Sequence, residues 1–405
     1  MRQGVTFAAG RVALEEPGVR VRHVVEVGAA YEELLASGAS TRLDMDVDPR
    51  DIAMIMYTSG TTGQPKGAML THANTIANAQ NVASTVGRGL RKTDVTVTVT
   101  PMFHIGGLGM HTLPFFYMGA RNVIVPAFDP VGTLELMARE RATVQLMVPA
   151  MWAALMRIPN LASYDLSALD LALSSGAPTP LPVIDFYTEL GVPFQEGFGM
   201  TEAAPGISFL DAEYVKTKAG SVGRALFAID TRIVDPNGVE VPTGQVGELV
   251  VRGANVAAGY WMRPDATAEA FRDGWFHTGD LGRVDDEGFI TLVDRKKDMI
   301  ITGGENVYPI EVEQVLCRFP GIVEVATIGV PDDKWGETVV AYAVVEEGAE
   351  VTAEALVSYA RERLAHFKCP TRVEFISELP RTATGKVRKT ELRQRETGQA
   401  CAVTR

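Results

Sequence analysis

The string Tyr57-Thr-Ser-Gly-Thr-Thr-Gly-Gln-Pro-Lys-Gly67 places three glycines, four Ser/Thr hydroxyls and one lysine within eleven residues. Glycine lets a backbone turn its amides toward a bound anion, while hydroxyls and a lysine add donors and positive charge. Thr58, Ser59, Gly60, Thr61, Thr62, Gly63 and Lys66 are therefore candidates for gripping a polyphosphate. A Walker A loop has Ser or Thr after its lysine; here Gly67 follows Lys66, so a P-loop kinase or NTPase is disfavoured.

Other segments carry chemistry-bearing residues in turn-like settings. These are Pro101-Met-Phe-His-Ile-Gly-Gly107, Ser174-Ser-Gly-Ala-Pro178, Gln195-Glu-Gly-Phe-Gly-Met-Thr-Glu202 and Trp275-Phe-His-Thr-Gly-Asp280. Asp294-Arg-Lys-Lys-Asp298, Thr302-Gly-Gly-Glu-Asn-Val-Tyr-Pro309 and Pro380-Arg-Thr-Ala-Thr-Gly-Lys386 complete the set. Singly, several are weak. A histidine among apolar residues is usually core, Ser-Gly turns are common, and a lysine run is often a solvated face. In this order, together with the first string, they resemble the motifs of the adenylate-forming superfamily. That superfamily comprises acyl-CoA synthetases, peptide-synthetase adenylation domains and firefly-type luciferases.

The resemblance implies roles, position by position. Residues 58–63 and Lys66 would hold phosphates, and Ser175, Gly176, Ala177, Gly197, Phe198 and Gly199 would line the adenine, with Phe198 stacking where relatives usually have Tyr. Asp280 and Arg295 would reach the ribose, Thr201 the α-phosphate, and Glu202 a magnesium ion. Phe103, His104, Gly106 and Gly107 would wall the acyl pocket, the two glycines leaving room for an extended chain. Lys297 would be the hinge, Gly303 and Gly304 would let the CoA arm pass, and Lys386 would be the catalytic lysine, with Thr201 and Glu202.

The chemistry suits these residue types. A carboxylate must attack an anionic α-phosphate, so catalysis is positioning plus cancellation of charge in a dry site. ATP, Mg2+ and coenzyme A are the implied cofactor and co-substrates. The reading is an AMP-forming acid–thiol ligase acting on a fatty acid of medium or long chain. The alternatives are an aryl-acid CoA ligase, transfer to a carrier-protein thiol, and an inactive nucleotide- or acyl-binding protein.

The elements must bring these segments together. Between residues 50 and 200 strand-like runs (94–100, 122–126, 144–149, 169–174) alternate with helix-compatible stretches (131–141, 180–190), implying a mainly parallel sheet covered by helices. Residues 219–294 are β-rich and punctuated by glycine, with a hairpin signal at Pro236-Asn-Gly238. Beyond Lys297, Val312, Val315, Leu316 and Phe319 have helical spacing, strand-like runs follow at 324–330 and 339–345, and a second helix is expected over 353–367. The expected fold is α/β: a large domain of parallel α/β sheet (about 45–215), a small barrel-like β-rich part (about 216–295), and a small mobile α+β C-terminal lid (296–405). Residues 19–27 look strand-like and 31–37 helix-like.

Composition sets outer bounds. With 405 residues, several domains are expected. A net charge of −12 argues against a nucleic-acid partner bound through a broad basic face. No run approaches 18 apolar residues, so no stable membrane insertion is expected. Cys317, Cys369 and Cys401 fit neither a disulfide framework nor a zinc site, which points to the cytoplasm. Only 56 residues precede Tyr57, fewer than in relatives, so most of an N-terminal subdomain is expected to be lacking. An exposed sheet edge and a homodimer are the matching expectations.

Overall fold

The computed structural model of the chain describes residues 23–41, 44–58, 65–346, 348–381 and 387–396. Met1–Val47 and Asp48–Arg405 cluster as two units. In the first, α1 (Ala29–Ser37) confirms the helix-like stretch and buries none of its side chains. Of the strand expected over 19–27, residues 19–22 lie outside the described residues. Residues 23–26 join no sheet, and an extended run without a ladder is not a stable strand.

The second unit opens with the antiparallel hairpin β1 (Ile52–Thr58) and β2 (Lys66–Thr71). Thr71 then starts α2 (His72–Thr85) with a capping box: its hydroxyl accepts from Asn74 N at 3.1 Å, and Asn74 Oδ1 accepts from Thr71 N at 2.9 Å. β3 (Val95–Thr98) leads to a π-helix, Gly106–Thr112, and then to α3 (Leu113–Met118), which Gly119 ends in the left-handed region. β4 (Arg121–Ile124) runs parallel to β3. Asp129 caps α4 (Pro130–Arg139), with proline at its first position, where the missing N–H costs nothing.

A five-stranded sheet follows. β5 (Val144–Met147) leads to α5 (Pro149–Met156), β6 (Leu171–Ser175) to α6 (Leu181–Glu189), and β7 (Phe194–Gly199) comes next. These three strands are parallel, while β8 (Gly206–Leu210) and β9 (Arg224–Ala225) add on antiparallel. Gln145 stitches β5 to β3, accepting from Val97 N at 3.1 Å and donating to Val97 O at 2.7 Å. The core between sheet and helices centres on Trp152, Tyr187 and Phe194, packed edge-on or stacked.

The glycine-punctuated region is an antiparallel sheet. β10 (Ile229–Val234), β11 (Gly247–Gly253), β13 (Trp275–Val284) and β12 (Phe271–Arg272) lie in that order, and β14 (Ile290–Arg295) pairs with β13. α7 (Pro264–Ala270) feeds β12. The ladders shift at Glu248/Val250 and at Leu281/Gly282, bulges that flank Asp280.

The last part is α+β. β15 (Ile300–Thr302) and β16 (Glu305–Val307) precede α8 (Pro309–Leu316), the long hairpin β17 (Ile322–Asp332) and β18 (Gly336–Val345), α9 (Ala353–Arg361), β19 (Arg372–Phe375) and α10 (Lys389–Glu396). Period-2 alternation divides β18. Val339, Ala341 and Ala343 pack with α8 and α9, and Val340 and Tyr342 face Leu392 of α10. The helix expected over 353–367 stops at Arg361, where Arg363 N and Leu364 N both turn back to Ala360 O. Phe319 lies past the end of α8 yet still packs on that core.

Candidate active site

The hairpin β1–β2 flanks the glycine-rich string. Thr58 and Lys66 are register partners, and the Thr58 hydroxyl donates to Lys66 O at 3.3 Å. Ser59, Gly60, Thr61, Thr62 and Gly63 lie outside the described residues, as does Lys386. The free edge of β2 is taken by the segment 257–261. Ala258 N donates to Met69 O and Met69 N to Gly259 O, each at 2.9 Å, and Trp261 N donates to Gly67 O at 2.8 Å.

That segment carries Tyr260 inward. Its hydroxyl donates to Glu202 Oε1 at 2.8 Å, and the Lys66 ammonium stands 5.1 Å from the centre of its ring. Glu202 sits in the one-turn helix Thr201–Ala203 that follows β7, and it is buried. Its own carbonyl accepts from Ala257 N at 2.8 Å. Lys66 and Glu202, 136 positions apart in sequence order, thus meet across one tyrosine ring. Gly199 is required by close approach at the end of β7, since a Cβ there would lie 2.1 Å from Pro205 O.

Phe198 is half-buried against the main core. Ser175 ends β6, and Gly176 and Ala177 form the turn beyond it, facing the neighbouring end of β7 in a parallel pair. Glu196 anchors this region by accepting from Thr179 N at 3.0 Å. Burial pushes its carboxyl above the usual range, although the bonds from Thr179 pull the other way.

Asp280 and Arg295 form a second cluster. They are register partners of β13 and β14, with Arg295 Nε 3.4 Å from Asp280 Oδ1. The Thr278 hydroxyl accepts from Asp280 N at 3.0 Å. Beneath them, buried Glu248 accepts from Gly279 N and from Lys296 Nζ, each at 3.2 Å, with His277 Nδ1 also at 3.2 Å. Burial raises the Glu248 carboxyl, but His277 and Lys296 outweigh it and hold it below its ordinary value. Lys297 is drawn down by burial, and Asp298 beside it pairs with Arg393 of α10 at 2.9 Å. Across the expected hinge, Asp294 Oδ2 accepts from Ile310 N at 2.9 Å. Gly303 and Gly304 both take positive φ in the turn between β15 and β16.

At the expected acyl pocket, Phe103 is 75% exposed and His104 Nδ1 accepts from Gly106 N at 3.1 Å. One expectation needs correcting. The space at Gly107 is already filled, because a Cβ would lie 2.3 Å from Pro101 O and 2.8 Å from Thr100 O. At Gly106 the nearest neighbour is the ring of His104, at 3.2 Å. Gly107 therefore serves tight packing of the loop rather than a wider tunnel, while at Gly106 only the His104 side chain is near. A cavity of about 630 Å3 lies elsewhere, lined by Gly87, Arg88, Val144, Asp170 and Leu171 near the starts of β5 and β6, and contains none of the expected site residues.

Tyr260, Glu196 and Glu248 were not assigned roles from the sequence. Only Glu196 and Tyr260 left a signal: the first lies inside a motif, and the second follows a glycine where the chain must pass close to Thr267.

The model of the AMP-binding enzyme family matches residues 7–261, and that of the AMP-binding enzyme C-terminal domain matches residues 311–386. A feruloyl-CoA synthase from Amycolatopsis sp is 46% identical over 352 residues, covering 87% of this chain and 71% of the relative. A 2-succinylbenzoate–CoA ligase from Bacillus cereus (strain Q1) is 42% identical over 340 residues, covering 84% and 69%. The ATP-bound crystal structure of MatB from Rhodopseudomonas palustris superposes with a TM-score of 0.84 at 35% identity, covering 92% of this chain and 73% of that one. The chain belongs to the AMP-binding enzyme family, and within it to the acid–thiol ligases that form AMP.

Proposed function

We propose that the chain activates an aromatic carboxylic acid with ATP and passes the acyl group to coenzyme A. The observation that carries the nucleotide half of this reading is the meeting of Lys66 and Glu202 at Tyr260. The aromatic half is supported by relatives whose names specify feruloyl and 2-succinylbenzoate substrates. They favour an aryl acid over the fatty acid expected first.

In the first step a carboxylate oxygen attacks the α-phosphorus of ATP. The bond from that phosphorus to the bridging oxygen breaks, pyrophosphate leaves, and an acyl-AMP remains. Thr58 to Gly63, Lys66 and Lys386 cancel phosphate charge as the attacking anion approaches. Thr201 contacts the α-phosphate, while Phe198, Ser175, Gly176, Ala177, Gly197 and Gly199 hold the adenine, and Asp280 with Arg295 holds the ribose. Magnesium fits Glu202: this hard cation takes one or two carboxylates and completes its shell with substrate phosphates and water. Oε2 of Glu202 takes no hydrogen bond from a described residue, leaving it for such a ligand role. When bound, magnesium neutralises phosphate charge and orients the leaving group.

In the second step the CoA sulfur attacks the acyl carbonyl and AMP leaves. We assign residues 296–405 to a lid that turns about Lys297, exchanging the Lys386 face for the Gly303–Gly304 face. The dispersed cysteines support action in the cytoplasm. Among the described residues no helix is long and apolar enough to cross a membrane.

The test is pyrophosphate release from purified protein with ATP, Mg2+ and a panel of hydroxycinnamate, arylacetate and fatty acids. Fastest release with an aryl acid is expected. A preference for aliphatic acids refutes the aromatic reading, and silence with every acid favours an inactive binding protein.

A further inference from the structure

Tyr260 is built into the site more firmly than a packing residue needs to be. The residue is 6% exposed, and its ring sits edge-on to Phe271, with centroids 5.6 Å apart, beside Ala68 and Ala266. Its backbone bridges to Ala68 of β2, and its N–H donates to the Thr267 hydroxyl at 2.9 Å. Backbone and ring are therefore fixed before any ligand arrives. A phenylalanine would fill the same volume, so the hydroxyl needs a separate reason.

Glu202 supplies it. Glu202 is 8% exposed, and the Tyr260 hydroxyl is the donor its carboxylate receives among the described residues. A carboxylate with one oxygen bound is restrained in rotation, so its other oxygen keeps a fixed direction. The same ring lies beneath the Lys66 ammonium, which leaves that charge attracted to the ring face rather than free to fold onto Glu202. Without that attraction Lys66 would be free to pair with Glu202, and each would then be neutralised by the other instead of by the nucleotide.

We propose that Tyr260 is a positioning residue that presents Glu202 to the metal accompanying ATP and holds Lys66 apart from it. This rests on the reading of Glu202 as the magnesium ligand. Its physical content is that the hydroxyl governs the magnesium-dependent part of nucleotide binding, and the ring governs the lysine's part.

The experiment measures ATP affinity by calorimetry with the acid omitted, with and without Mg2+, on the full chain. Tyr260→Phe keeps the ring and removes only the hydroxyl. The gain in affinity from Mg2+ is expected to fall about ten- to hundredfold, the range for one hydrogen bond to a charged group, with Mg2+-free binding unchanged. Tyr260→Leu should weaken Mg2+-free binding as well. In a Glu202→Gln background, Tyr260→Phe should add little. Thr267→Val, which removes the acceptor for Tyr260 N, should lower the Mg2+ gain in the same direction but less.

The inference is overturned if a folded Tyr260→Phe protein retains the full Mg2+ gain, or loses affinity equally with and without Mg2+. If that variant does not fold, an unchanged gain in Thr267→Val overturns it. An unmodified protein that shows no Mg2+ gain at all instead refutes the assignment of Glu202, so the two failures are distinguishable.

Discussion

In the proposed first step Lys386 and Lys66 both bring positive charge to the phosphates, but only Lys386 belongs to the proposed lid. Lys386→Ala should lower acyl-AMP formation by about 10²–10³, the loss typical of one preorganised donor, while thioester formation from supplied acyl-AMP is largely spared. Single-turnover assays of each half reaction check this; equal loss in both would count against alternation of the lid. Gly107 serves packing instead. Gly107→Ala sets a Cβ 2.3 Å from Pro101 O, an overpacking that should cost about 1–3 kcal/mol in denaturant titration. A stability unchanged by that substitution would mean the 101–107 loop can yield without cost.

Between elements, polar side chains act as fasteners where ladders end. Asn78 of α2 donates to Gly109 O of the π-helix at 2.8 Å and accepts from Gly206 N of β8 at 2.9 Å, all out of water. It therefore ties the π-helix that begins at Gly106 to β8. Asn78→Ala leaves two backbone groups unpartnered and should cost about 1–3 kcal/mol per unsatisfied group. Unfolding midpoints read the loss, and Asn78→Asp, which can still accept from Gly206 N, should recover part of it. Neither Asn78 nor Gln145 stood out in the sequence, because an asparagine on a helix or a glutamine in an apolar run is uninformative until its partners are placed. The capping box at Thr71, the proline starting α4 and the glycine ending α3 were local, and such signals are visible without a fold.

For the chain as a whole, two properties follow from burial. His111 is enclosed, its Nε2 meeting the Thr96 hydroxyl and its Nδ1 without a partner among the described residues. Burial keeps the imidazole neutral and pushes its pKa from 6.5 down to about 3. A depressed folded value means that the unfolded chain binds the extra proton first. This contribution to stability is therefore complete above the unfolded pKa and is lost as pH falls from about 6.5 toward 3, at up to about 1.4 kcal/mol per pH unit. His111→Gln should flatten the stability curve over that window; an unchanged slope would mean the histidine is not what acid attacks. At the surface, β1 exposes Ile52, Ile55 and Tyr57 and pairs, among the described residues, with β2. Such an edge favours self-association, so Ile55→Lys should reduce concentration-dependent light scattering, and no change would point to another surface.

The glycine-rich string 57–67 pointed by its own residue types to anion binding, and the ordered motifs up to 380–386 named the reaction class through their resemblance to the adenylate-forming superfamily. The strands and helices between them were legible because they are local in sequence. Two things depended on the folded chain. One is the third participant between Lys66 and Glu202: Tyr260 reaches them only because its segment lies along β2. The other is the state of each glycine, since whether a missing side chain opens space or admits a neighbouring carbonyl, as at Gly107, depends on residues that pack there and not on glycine itself.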